Sequence, residues 1–124
     1  MKHEETTEKI IQVFYKVYNT LGYGFLEKVY ENAMLVELEL AGFYVERQKS
    51  ITVLYKEREV GLYFADLVVN EIVIIELKAH ECLLHEHSVQ LINYLKATNM
   101  EVGLLLNFGK KPEIRRKIFD NALK

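Results

Sequence analysis

The sequence predicts an α/β protein of the α+β type, in which helices pack on a mixed four-stranded sheet. Apolar residues recur at helical spacing near the N-terminus, whereas consecutive runs in the middle of the chain are rich in β-branched residues. A further helical pattern separates these runs from a last apolar run, which allows a parallel crossover within the sheet. The predicted order of elements is therefore α-α-β-β-β-α-β-α.

Two helices are predicted in the first third of the chain. The first covers residues 4–20, where apolar residues such as Ile10 and Phe14 recur at helical spacing. The second runs from about Phe25 to Ala41 and ends at Gly42, a suitable C′ residue. The residues expected to form its buried apolar stripe are Leu26, Val29, Ala33, Val36 and Leu40.

The rest of the chain is predicted to form an antiparallel meander, a crossover helix, a fourth strand and a final helix. The run from Gly103 to Leu106 is typical of a strand buried on both faces. Pro112 suits the first turn of the final helix. The approximate bounds are 43–55, 60–69 and 72–78 for the meander, 84–98 for the crossover helix and 101–108 for the fourth strand.

The composition indicates one folded domain covering residues 1–124. Half of the residues are hydrophobic (50%) and 27% are charged, which favours a packed core over disorder. The single cysteine, Cys82, excludes an internal disulfide and fits a reducing compartment. The polar N-terminus argues against a signal peptide, and no apolar run approaches the roughly 20 residues that span a bilayer. We therefore expect a cytoplasmic protein without a membrane partner.

Basic residues are concentrated at the C-terminal end, although the net charge of the chain is −2. The segment 110–124 is basic and follows a more acidic body. Such a segment can meet a polyanion. The alternative, which is favoured for the segment alone, is a solvated helix face whose cations complement the dipole at its own C-terminal end.

The most informative stretch runs from Ala65 to Lys78, because an apolar strand there ends in charged residues. This strand is predicted to be buried and to deliver Glu76 and Lys78 to one face of the sheet. A second acid, Asp66, lies in the preceding strand. Charged side chains are rarely buried unless they are paired or bind a metal. The group can therefore hold a divalent cation and orient a water molecule, and a structural ion pair is the alternative.

The register of the hairpin decides whether Asp66 and Glu76 cooperate. A two-residue turn at Asn70-Glu71 would pair Asp66 with Ile75 and turn Glu76 to the opposite face. A three-residue connection or one β-bulge would place both acids on the same face. A shared site therefore predicts an irregular hairpin.

A hard divalent ion, Mg²⁺ or Mn²⁺, is the expected partner of two such carboxylates, because it prefers oxygen ligands. The backbone carbonyl of Leu77 would supply another oxygen. Lys78 would hold the attacking water or stabilise charge on a phosphate.

Two helical patterns add candidate residues. Glu27 and Tyr30 lie three apart on one helix face, and Gln90 and Tyr94 lie four apart on another. Each pair also has a structural interpretation. Tyr30 would then pack in the core beside a solvated Glu27, and Gln90 would lie on the surface of an amphipathic helix.

Taken together, these motifs resemble the GxxExxY protein family, which is similar to a branch of the PD-(D/E)XK nuclease superfamily. The resemblance covers about Ile10 to Phe119, in the order and spacing of the family. The proline of the superfamily name is absent, since Ala65 precedes Asp66. The motifs are Gly24-x-x-Glu27-x-x-Tyr30, Gly61-x-Tyr63-x-Ala65-Asp66, Glu76-Leu77-Lys78, Gln90-x-x-x-Tyr94-Leu95 and the run Gly103 to Gly109.

The resemblance implies a restriction-endonuclease-like αβββαβ core that carries a divalent-metal nuclease site. By position, Asp66 corresponds to the metal-binding aspartate, and Glu76 with Lys78 corresponds to the (D/E)XK pair. Glu27 corresponds to the acid on the first core helix, which in relatives helps to hold the metal or its waters. The QxxxY motif, which in relatives faces the site and the nucleic-acid backbone, is matched by Gln90 and Tyr94.

Further side chains are expected to contact nucleic acid. His87 lies three residues before Gln90 and is expected to reach the catalytic rim as a phosphate contact. A zinc site at His80-x-Cys82-x-x-His85-x-His87 is a weaker expectation, because the spacing matches no standard zinc finger. The residues assigned to nucleic-acid contact are Tyr30, His87, Arg115, Arg116 and Lys117.

The sequence thus predicts a divalent-metal-dependent nuclease that hydrolyses phosphodiester bonds of DNA, or of RNA. Glu27, Asp66 and Glu76 would hold Mg²⁺ or Mn²⁺, and the other candidates would position water and substrate. One alternative is a catalytically inactive nuclease fold that binds nucleic acid or a protein partner. Another is a small structural protein without a nucleic-acid role. The size of the chain leaves a homodimer or a protein partner open.

Overall fold

One five-stranded sheet runs through the molecule, with helices on both of its faces. The structure, a computed structural model, describes residues 2–124. Within these residues no helix combines the length and apolar character needed to cross a membrane. In chain order the elements are α1 (Glu4–Leu21), α2 (Glu27–Leu40), β1 (Val45–Tyr55), β2 (Arg58–Val69), β3 (Val73–Lys78), α3 (His85–Lys96), β4 (Val102–Phe108), β5 (Pro112–Ile118) and a short 3₁₀ turn at Asn121–Leu123.

The strands lie across the sheet in chain order, from β1 at one edge to β5 at the other. β3 and β4 are parallel, as expected for strands joined through α3, and the other neighbours are antiparallel. α1 and α2 cover one face, where Phe14 packs against Phe108. α3 covers the other face through Leu91 and Leu95. β4 is buried along its whole length, which confirms the sequence prediction for this strand.

The C-terminal segment is a strand, so the helix predicted from Pro112 is wrong. Pro112 begins β5 and pairs with Phe108 at the edge of the sheet. Proline is tolerated both at the first turn of a helix and at the first residue of an edge strand, so it did not distinguish the two. The side chains alternate: Ile114 packs on the α1–α2 face, whereas Arg115 bonds to Ser88 of α3. The sheet therefore has five strands and not the predicted four.

α2 is present as predicted, but it buries a different face. Its buried apolar residues are Tyr30, Met34 and Leu38, which are spaced four apart. The predicted stripe is mostly exposed, and its end residues Leu26 and Leu40 are 80% and 77% exposed. Both faces of the helix carry apolar residues at helical spacing, so periodicity alone did not choose between them.

A glycine in β4 allows α3 to pack closely on the sheet. A Cβ atom on Gly103 would lie only 2.6 Å from Cδ1 of Leu91, a residue of α3 that is fully buried. Protein interiors are close-packed, so the neighbouring side chain has little room to move. The missing side chain at Gly103 therefore sets the distance between the sheet and the helix that carries Gln90 and Tyr94.

We predict that Gly103→Ala lowers the free energy of unfolding by about 1–3 kcal/mol, the usual cost of overpacking a core. The control is Gly61→Ala, because a Cβ there would meet its nearest neighbour, Cε2 of Tyr63, at an ordinary contact distance of 3.5 Å. Urea denaturation followed by circular dichroism measures both variants. Equal stability of the two would contradict the packing argument.

Candidate metal and catalytic site

The hairpin between β2 and β3 has the irregular register that a shared acidic site requires. Val69 pairs with Val73, so residues 70–72 form a three-residue connection, in which two residues have positive φ. Continuing this register brings Asp66 opposite Glu76 on one face of the sheet. Of the two registers considered from the sequence, the structure has the one that permits cooperation.

Where the regular pairing of β2 and β3 ends, the carboxylates of Asp66 and Glu76 accept hydrogen bonds from the backbone. Oε2 of Glu76 accepts a hydrogen bond from the N–H of Asp66 at 2.8 Å, and Oδ2 of Asp66 accepts one from the N–H of Leu77 at 2.8 Å. These bonds fix one oxygen of each carboxylate and hold the two groups side by side. In an extended strand the N–H and C=O of one residue point to the same side, so the carbonyl of Leu77 faces the side of Asp66.

Burial of two adjacent acids raises the pKa of both. Glu76 is only 4% exposed, and its burial, followed by the charge of Asp66, raises its pKa to about 8. Burial also raises the pKa of Asp66, and the charge of Glu31 adds to that rise. The ammonium of Lys78 lowers the pKa of both groups but does not offset the burial. A cation bound between the two carboxyl groups would favour their ionised forms and so oppose these rises in pKa.

Glu27 lies beside this pair and not within it. It is the exposed first residue of α2, and its charge contributes to the raised pKa of Glu76. Within residues 2–124 no three side chains of Asp, Glu, His or Cys are arranged to hold a metal ion. The structure brings Asp66 and Glu76 together, and Glu27 is near enough for its charge to act on Glu76.

Sequence reasoning missed a buried acid one turn further along α2. Glu31 is 4% exposed and accepts hydrogen bonds from Lys28, Arg47 and Gln48. Burial alone would raise the pKa of Glu31, but these bonds hold that pKa below its usual value. Gln48 also donates to Oδ1 of Asp66 at 3.4 Å and so links the two acids. A signal was available in the sequence, because Glu31 lies one helical turn after Glu27, the acid predicted on α2.

α3 places Tyr94 near the carboxylates of Asp66 and Glu76. Tyr94 is buried, and this burial, followed by the charges of Glu76 and Asp66, raises its pKa to about 12. Gln90 lies one turn earlier and lines the same groove as Tyr94. The ring of Tyr63 from β2 lies 5.7 Å from that of Tyr94, measured between centroids. The QxxxY pair thus lies on the side of the sheet that carries the acids.

His87 lies close to the ammonium of Lys78. Its Nδ1 accepts a hydrogen bond from the N–H of Leu84 at 3.0 Å, at the start of α3. Burial, followed by the charges of Lys78 and His80, lowers its pKa, which favours the neutral ring. With Nδ1 as acceptor, the proton is on Nε2, which can donate to a phosphate. The rings of His87 and His80 are 4.8 Å apart between centroids, but no third zinc ligand joins them in the described chain, residues 2–124.

Tyr30 lies in the core, as in the structural interpretation of its motif. It is fully buried and stacks on Phe108, with 4.1 Å between ring centroids. Its hydroxyl donates to the carbonyl of Gly22 at 2.7 Å and accepts from the N–H of Phe25 at 3.2 Å. These contacts hold the loop before α2 and leave no exposed surface for the nucleic-acid contact expected from the sequence.

The C-terminal arginines are engaged within the protein. Arg115 donates to Oγ of Ser88 at 3.0 Å and so ties β5 to α3. Arg116, on the other face of β5, donates to the carbonyl of Lys2. Lys117 is half-buried on the same strand. Because β5 is extended, these three residues alternate between faces and do not form one cationic surface.

Comparisons with known proteins agree with this architecture. A family model of the PD-(D/E)XK nuclease superfamily matches residues 4–117, so the chain belongs to that superfamily. The crystal structure of SSO0001 has a similar fold, with a TM-score of 0.56 and 17% sequence identity. That match covers 75% of this chain and 50% of the other, so this chain spans about half the length of that protein. No curated protein matches the chain at a significant level.

We predict that the metal-free protein is more stable near pH 5 than near pH 9. The pKa of Glu76 is raised from 4.5 to about 8 in the folded state. The protonated Glu76 side chain therefore contributes fully to stability below pH 4.5, and this contribution is lost as the pH rises through 8. The free energy of unfolding should fall by roughly 3–5 kcal/mol over this range. Urea denaturation in the presence of EDTA measures it.

The matched variant is Glu76→Gln, which cannot titrate and should flatten this part of the pH dependence. The same pH dependence in Glu76→Gln and in the unaltered protein would show that another group is responsible.

Proposed function

We propose that this chain is a divalent-metal-dependent nuclease that hydrolyses phosphodiester bonds of DNA. The observation that carries the proposal is that two backbone N–H groups anchor Asp66 and Glu76 by one oxygen each and so hold the carboxylates side by side. Membership of the PD-(D/E)XK nuclease superfamily supports nucleic acid as the substrate. The chemistry of the site serves RNA equally well, and the cleavage assay below distinguishes the two polymers.

The donor set fits Mg²⁺ or Mn²⁺. Asp66 and Glu76 offer carboxylate oxygens and Leu77 offers a carbonyl oxygen, which are the hard ligands that these ions prefer. Mg²⁺ commonly takes one or two protein carboxylates and keeps several waters, so Glu27 would act through such a water. When bound, the ion would activate water and stabilise charge on the phosphate.

The other side chains have roles set by their positions. Lys78 lies on the same face of β3 as Glu76 and would orient the attacking water or take its proton. The Nε2–H of His87 would donate to a phosphate oxygen. Gln90 and Tyr94, which line the adjacent groove, would orient the substrate strand toward the carboxylates.

The test is cleavage of labelled single- and double-stranded DNA and RNA in the presence of Mg²⁺ or Mn²⁺. Glu76→Gln and Asp66→Asn should each lower the cleavage rate by at least about 100-fold. Loss of an outer-shell partner of a metal site costs up to about 100-fold, and loss of a direct ligand should cost at least as much. Glu59→Gln, at an exposed acid of β2, is the matched control and should keep full activity. Cleavage that persists in Glu76→Gln would mean that the activity does not come from this site.

The second candidate is a nuclease fold that binds nucleic acid or a protein partner without cleaving it. In its favour, no third acid joins Asp66 and Glu76 in a metal-binding cluster within residues 2–124. Calorimetric titration with millimolar Mn²⁺ separates the two candidates. The nuclease should bind Mn²⁺ and lose this binding in Glu76→Gln, whereas the inactive module should show no binding.

A further inference from the structure

A groove beside the carboxylates lies between α3 and the hairpin of β1 and β2. We call it the α3–hairpin groove, and Tyr63, Val89, Gln90, Asn93 and Tyr94 are among its lining residues. The hairpin extends past the rest of the sheet, because β2 pairs with β3 only through residues 67–69. The volume of the groove is about 740 Å³, within the roughly 300–1,000 Å³ range of small-molecule sites.

Tyr63 presents an aromatic surface to this groove. Its side chain is 49% exposed, and its ring is tilted by 46° against that of Tyr94. Tyr63 precedes Asp66 by three residues on β2, and Tyr94 is near enough to Glu76 and Asp66 for their charges to raise its pKa. The two rings therefore line the groove on the side of the sheet that carries the acids. Exposed rings of this kind stack nucleic-acid bases with little sequence preference.

We propose that the substrate binds as a single strand in the α3–hairpin groove, with one base stacked on Tyr63. This rests on the proposed function, because Asp66 and Glu76 are taken as the cleavage site. The groove has the volume of a small-molecule site. A duplex instead requires a broad surface that contacts many phosphates.

The small number of cations around the groove also favours a single strand over a duplex. Lys96 and Glu86 both line the groove, and Lys78 lies near enough to Glu76 to lower its pKa. Arg115 and Arg116, which would supply further phosphate contacts, are hydrogen-bonded inside the protein. With so few free cations, stacking must supply much of the affinity. The salt dependence should therefore be shallow, since each neutralised phosphate contributes about −0.7 to the logarithmic slope for a single strand.

Fluorescence anisotropy tests the proposal in the Glu76→Gln background, in which the oligonucleotide stays intact. The probes are labelled oligothymidylate and a duplex of the same length. We expect the single strand to bind at least about tenfold more tightly than the duplex, with a logarithmic salt slope of roughly −1 to −2. Duplex binding as tight as single-strand binding would overturn the proposal.

Substitutions at Tyr63 test the stacking step. Tyr63→Leu should weaken single-strand binding about tenfold, and Tyr63→Phe, which keeps the ring, should stay within about twofold of the parent. Tyr44→Leu is the matched control, because Tyr44 is 59% exposed and does not line the groove. Unchanged affinity in a folded Tyr63→Leu variant would overturn the proposal.

The experiments distinguish failure of the groove proposal from failure of the proposed nuclease function. Glu76-dependent cleavage of duplex but not of single strands would overturn the groove proposal and leave the nuclease. Single-strand binding that depends on Tyr63, without any metal-dependent cleavage, would overturn the nuclease and support the groove.

Discussion

Two hydrogen bonds from backbone N–H groups to the carboxylates of Asp66 and Glu76 join β2 to β3 at the point where their regular pairing ends. Each carboxylate accepts from a backbone N–H of the opposite strand, one from Asp66 and one from Leu77. Buried backbone N–H groups need hydrogen-bond acceptors. These two bonds supply acceptors for the N–H groups of Asp66 and Leu77, and they also fix the positions of the carboxylates. The cost is electrostatic, because two acids share a buried position and the pKa of Glu76 rises to about 8. Every role proposed for the neighbouring residues depends on this pair.

The surrounding fold holds the segment that follows Lys78. Asn107 is fully buried on β4; its amide oxygen accepts from the N–H of His80, and its amide nitrogen donates to the carbonyl of the same residue. Glu113 of β5 accepts hydrogen bonds from Asn107 and from the N–H of Leu83. The loop between β3 and α3 is thereby tied to the two strands beyond it. This arrangement positions α3, and with it the side chains that face the carboxylates.

The sequence predicted α1, α2, α3, the meander and the buried fourth strand because their periodic patterns are strong. It singled out Asp66 and Glu76 as candidates because charged residues interrupt an apolar run. It did not predict β5, since Pro112 is compatible with either a helix or an edge strand until the pairing partner is known. It selected the wrong face of α2 for burial, and it did not single out the buried Glu31, which lies one helical turn after Glu27. The distinction between these residues depends on how α2 packs against the sheet, which periodicity does not contain. The sequence did not determine the register of the β2–β3 hairpin either, because both the two-residue and the three-residue connection were compatible with Asn70-Glu71.

The central claim is that the Asp66–Glu76 pair is a binding site for a divalent cation. The most direct measurement is anomalous X-ray scattering from crystals soaked in Mn²⁺ near pH 8. We expect one strong peak between the two carboxylates, within coordination distance of their oxygens and of the carbonyl of Leu77. A structure at millimolar Mn²⁺ with no peak there, or with its peak at His80 and Cys82 instead, would contradict it.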